Sequence, residues 1–161
     1  MINKLRTTIF EKIKLISIDN PVVLLDEMTN DEIFMIEDIL KEFENIKIFI
    51  IEKNDKKRIF LKLQNNNLEI QNIDNLEGNI HSLYSKKDYK ETLNKLLLVI
   101  MNEETPKPCY YRMLGYTYLH FNDVEKAIEY FIIAEGISKG TQNRYRFDSL
   151  IKKLQNKKVA N

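Results

Sequence analysis

The chain has 161 residues, 43 % hydrophobic and 30 % charged, with 25 Lys plus Arg against 24 Asp plus Glu, which suits one globular domain or two small ones. That near balance excludes a field strong enough to mark the whole chain as a nucleic-acid binder. The lone cysteine, Cys109, excludes an intrachain disulfide and a cysteine-based zinc site.

The longest apolar stretch, Leu96 to Met101, is far short of the ~20 residues of a membrane span. Lys4, Arg6, Glu11, Lys12 and Lys14 interrupt any signal-peptide core. The expectation is a soluble, cytoplasmic protein. Charge is uneven along the chain: residues 1–75 hold 11 basic and 14 acidic side chains, and residues 76–161 hold 14 and 10. Most of the basic excess follows Ser138.

In chain order, Ile2, Leu5, Ile9, Ile13 and Ile16 recur every three or four residues, an amphipathic helix. Asn20 then reads as an N-cap with Pro21 at the first position of a second, short helix. Thr29 and Glu32 are spaced as a reciprocal capping box, opening a third helix that runs to about Glu44. The period next shortens to two. "IKIFIIEK", "RIFLKLQ" and "LEIQNI", separated by "NDKK" and "NNN", predict a three-stranded antiparallel meander. Ile48, Ile50, Ile59, Leu61, Leu63, Leu68 and Ile70 share the face on which the helices pack, while Phe49, Ile51 and Phe60 lie opposite. Three large apolar residues do not belong on a wet face, so the helical half of the chain or a second copy must cover them.

From Asp74 five helical segments follow with short polar connections, which force neighbours to run antiparallel. The fold class is therefore α+β: a small domain over residues 1–73, then an all-α helical-hairpin domain over 74–161.

Counted from Pro108, the segment places Tyr111, Leu114, Gly115, Tyr118, Ala127, Phe131 and Ala134 at positions 4, 7, 8, 11, 20, 24 and 27 of a 34-residue unit. This resembles the tetratricopeptide repeat. Gly115 and Ala127 would be small where two helices cross, with Tyr118 and Phe131 filling space beside the crossing. Asn122 stands at the turn, where a left-handed backbone is needed. A weaker copy begins at Ile73, with Leu83, Tyr89, Thr92, Leu96 and Val99 in step but Asn79 and Ile80 where Leu-Gly would stand. Tyr145, Phe147, Leu150, Ile151 and Leu154 mark one face of a closing helix, apolar inward and basic outward.

The resemblance covers roughly residues 73–157 and implies a non-enzymatic module that holds a protein partner on the face made by the first helices. It assigns partner contacts to Glu77, His81, Tyr84, Arg112, Tyr116, Leu119 and His120. It does not supply the Lys and Asn clamp with which some relatives capture acidic C-terminal tails. The alternative is a nucleic-acid-associated or regulatory protein using the basic patch of Arg144, Arg146, Lys152, Lys153, Lys157 and Lys158. A solvated helix face is favoured over that reading, so nucleic acid is a disfavoured partner. Self-association remains open, because two repeats and a cap bury little core. Cys109, His81 and His120 have no spacing that builds a catalytic dyad or a metal site, and no Gly-rich phosphate loop is present. Neither catalytic residue, metal nor cofactor is expected.

Overall fold

The computed structural model describes residues 2–53, 56–64 and 73–159, with side chains described over 4–52, 56–64 and 78–157. Two compact units emerge: residues 1–71 with Leu97–Glu103, and residues 72–96 with 104–161. Among the described residues no helix is long and apolar enough to cross a membrane.

The first unit contains α1 (Ile2–Lys14), β1 (Val22–Met28), α2 (Asn30–Leu40), β2 (Ile46–Lys53) and β3 (Lys56–Leu63). The capping box at α2 forms as expected: the Thr29 side chain accepts from the Glu32 N–H, and the Glu32 carboxylate accepts from the Thr29 N–H at 2.8 Å. That bond is the chief reason the Glu32 carboxyl sits below its ordinary pKa.

Residues 22–28, expected to be helical after Pro21, form a strand instead. The run Val22–Leu25 is apolar and opens with two β-branched valines, and a short apolar run reads equally well as buried strand or buried helix. Pairing with β3 decides the outcome. Pro21 contributes only its carbonyl, which accepts from the Leu63 N–H at 2.7 Å, so its missing donor is not needed. Asn20 belongs to a turn, where its side-chain amide donates to the Leu15 carbonyl at 2.9 Å.

The sheet order is β1-β3-β2, antiparallel throughout. β2 and β3 pair as the expected hairpin, from Ile46 opposite Leu63 to Lys53 opposite Lys56. The third strand, however, is β1. β1 and β2 occupy the two edges of β3, so the third strand precedes the hairpin in the chain where the segment "LEIQNI" was expected to follow it. That segment lies, up to Asn72, outside the described residues.

One sheet face carries the core of this unit: Leu25, Ile59 and Leu61 pack with Ile9, Ile33, Ile36 and Leu40, and Ile46 and Ile48 join partly buried. Ile50, expected in this core, is 45 % exposed on the edge strand β2.

On the opposite face Ile51 and Phe60 are buried, and Phe49 stacks on Phe60 at 5.1 Å. Residues 97–103, from the helical half of the chain, belong to this unit and are anchored by Lys62 of β3. Its fully buried ammonium donates to the carbonyls of Ile100 (3.0 Å) and Glu103 (2.6 Å), with a Glu103 carboxylate oxygen at 4.0 Å and the Phe49 ring at 5.2 Å. A cation closing the C-terminal carbonyls of a helix satisfies groups that would otherwise be orphaned. Burial nevertheless pulls the ammonium down to about 8; the Glu103 charge opposes that shift and Lys47, opposite on β2, adds to it.

The second unit contains α3 (Ile73–Ser85), the first part of α4 (Tyr89–Asn102), α5 (Pro108–His120), α6 (Val124–Ile137) and α7 (Asp148–Val159). Its two hairpins, α3–α4 and α5–α6, are built alike. Each helix boundary in the second lies 35 residues beyond its counterpart in the first: Ile73 and Pro108, Ser85 and His120, Tyr89 and Val124, Asn102 and Ile137. The turns share their main features. Lys87 and Asn122 are both left-handed, with φ of 63° and 58°. The N–H groups of Asp88 and Asp123 donate to the carbonyls of Leu83 and Tyr118, and the two aspartate side chains cap Glu91 and Lys126.

Candidate partner-binding face

The face begins with the α5–α6 crossing. Tyr111, Leu114, Ala127, Phe131 and Ala134 are fully buried, and Tyr118 stacks on Tyr130 at 5.3 Å. Gly115 sits directly under Phe131: a Cβ added there would lie 2.5 Å from the ring. The space that glycine leaves is thus filled by an aromatic ring from the partner helix, which then carries Tyr116 edge-on at 5.0 Å and Phe147 at 4.7 Å. Tyr130 is buried completely, and desolvation holds its hydroxyl well above its ordinary pKa.

A correction concerns the segment before α7. Residues 144–147 are neither helix nor strand and the helix starts at Asp148, so Tyr145 and Phe147 do not belong to a helix face. Two buried groups on and after α6 capture this segment. The Glu135 carboxylate accepts the Phe147 N–H at 2.9 Å, and the Ser138 hydroxyl accepts the Tyr145 N–H at 2.9 Å. Neither was singled out in the sequence, since an isolated Glu and Ser on a helix carry no distinguishing pattern. Phe147 is buried, as expected of an inward residue; Tyr145 is half-buried and supports Arg112, whose guanidinium carbon lies 4.9 Å from its ring centroid.

Of the expected contact residues, Tyr84, Arg112 and Tyr116 come together. The half-buried Tyr84 hydroxyl is raised by desolvation, then by neighbouring Tyr89 and Tyr116, while Arg112 opposes the shift. Tyr116 is 37 % exposed. His120 turns towards α4 and stacks on Tyr89 at 3.7 Å, with Tyr84 edge-on to it at 6.3 Å. Leu119 opens elsewhere, into a groove of ≈790 Å³ that it lines with Phe121, Val124, Leu154 and Lys157. His81 is exposed on α3, and the side chain of Glu77 lies outside the described residues. Five of the seven positions therefore divide among an aromatic and arginine face (Tyr84, Arg112, Tyr116), a histidine stack (His120) and a separate groove (Leu119).

Cys109 and His120 stand at opposite ends of α5, about 16 Å apart along a 13-residue helix. They cannot share a proton. Among the described residues no group of three or more His, Cys, Asp or Glu could hold a metal ion. In the basic patch, Arg144, Arg146, Lys152, Lys153 and Lys157 are exposed, and the side chain of Lys158 lies outside the described residues. The chain matches no protein-family model, no curated protein and no solved structure.

Proposed function

We propose that this protein is a non-enzymatic interaction module, of the tetratricopeptide kind, that holds a segment of a protein partner on the face carrying Tyr84, Arg112 and Tyr116. One observation carries the reading: two hairpins repeat at 35 residues with equivalent turns, and Phe131 packed over Gly115 supports an exposed aromatic residue on the neighbouring position of α5. Half-exposed tyrosines beside an arginine are the residue types that anchor interfaces. The polar groups here are held by stacking and by backbone capture, and no nucleophile and base lie within reach of one another among the residues singled out.

Affinity purification of the tagged chain with mass spectrometry, repeated with Tyr116→Ala and Arg112→Ala, tests this. Partner capture is expected to fail in both variants and to persist when Lys152→Glu and Lys153→Glu are combined. The reverse pattern would transfer the function to the basic α7 surface.

A further inference from the structure

Arg112 is unusual on this face because it is half-buried and has no acidic counterpart among the described residues. Its guanidinium is fixed over the Tyr145 ring, and its Nε is buried with no hydrogen-bond partner. Among the described residues Arg6, Lys41, Lys56, Lys57, Arg58, Lys62 and Lys95 each lie within 4.0 Å of a carboxylate oxygen. Desolvating a guanidinium costs free energy that a paired carboxylate offsets, and the planar fork best matches a carboxylate in two-point geometry. Arg144 and Arg146 are the chain neighbours of Tyr145 and are exposed, their α-carbons each about 3.8 Å from its own.

Resting on the interaction reading above, we infer that the partner segment docks an aspartate or glutamate side chain on Arg112, with an adjacent apolar or aromatic side chain against Tyr84 and Tyr116. Arg144 and Arg146 steer the acidic segment to the face. The occupant is thus an acidic peptide segment of a protein, chosen over a purely apolar one because the face offers an unmatched positive charge beside its rings.

The probe is a random peptide library displayed on phage and selected on the immobilised full chain, followed by anisotropy titrations of synthetic versions of the peptides retained. Retained peptides are expected to carry Asp or Glu at a fixed spacing from an apolar residue. Their affinity should fall about tenfold or more when that acid is replaced by its amide and again in Arg112→Gln, with Arg112→Lys restoring part of it. The amide replacement leaves the protein untouched, so it decides the matter even if Arg112→Gln fails to fold. Peptides that need Tyr116 but tolerate both the amide and Arg112→Gln would overturn this inference and leave the interaction face standing. Peptides indifferent to Tyr116→Ala and Arg112→Gln alike would overturn both.

Discussion

At the scale of single residues, Gly115 shows how steric demand can be read from spacing. Its place seven residues after Pro108 and its fit to a repeat pattern suggested a small residue at a helix crossing; the structure adds that the occupant is the Phe131 ring. Alanine is the better helix former by about 1 kcal/mol, so propensity alone predicts that Gly115→Ala stabilises. Packing predicts the opposite. A methyl group 2.5 Å from a ring that also contacts Tyr116 and Phe147 forces repacking, which costs typically about 1–3 kcal/mol. Chemical denaturation should therefore show Gly115→Ala destabilised, by up to about 2 kcal/mol once the propensity gain is subtracted. A more stable variant would mean that Phe131 moves aside freely. Lys87 marks the limit of such reading. It shares the left-handed turn position with Asn122, yet lysine carries no preference for that conformation, so residue type gave no warning.

At the scale of elements, placement turned on polar anchors distant in sequence. Lys62 and Glu103 are 41 residues apart, and nothing local to either suggests their meeting. Their contact makes a pH prediction. The Lys62 ammonium has a folded pKa of about 8, below its ordinary value of 10.5. Below pH 8 both folded and unfolded chains hold this proton, and the cost of burying the charge is fully present. Between pH 8 and 10.5 the unfolded chain binds the proton more strongly, so this group's contribution to stability rises with pH. A neutral amine still donates to the carbonyls of Ile100 and Glu103. Denaturation midpoints measured from pH 7.5 to about 9 should climb in the wild type, and the climb should disappear in Lys62→Met. A flat wild-type profile would show that Lys62 is solvated. The segment before α7 follows the same logic: its apolar residues suggested a longer helix, but Glu135 and Ser138 take the N–H groups of Phe147 and Tyr145 and hold it outside the helix. The run Val22–Leu25 was ambiguous by period, and pairing with β3 settled it.

For the molecule as a whole, charge separates two modes of partner recognition. The net charge is only +1, but exposed cations gather on α7 and just before it. Binding of nucleic acid through that surface would release several counterions, giving a logarithmic salt slope that approaches the number of phosphates neutralised. A peptide held by one arginine and two tyrosines releases no condensed atmosphere, so its slope should stay below about one. Titrations of a retained peptide and of duplex DNA across a salt series should separate cleanly, with DNA binding lost in the combined Lys152→Glu and Lys153→Glu chain and peptide binding unchanged. A steep peptide slope would shift the binding surface to α7. Self-association, raised by the small core of two hairpins, is checked by sedimentation of the full chain.

What the amino-acid order determined by itself was everything set by neighbours within a few turns of chain: the capping box at Thr29, the β2–β3 hairpin, the helix boundaries of the repeated hairpins and the small residue at Gly115. These depend on side-chain period and backbone preference, which are written locally. Only the tertiary structure decided that β1 completes the sheet, that Lys62 closes the end of α4, and that Tyr145 holds Arg112 beside Tyr84 and Tyr116 while Leu119 and His120 turn elsewhere. Those outcomes follow from hydrogen-bond and packing partners supplied by remote segments, because a buried donor, carbonyl or ring takes whichever complement the folded chain brings within reach.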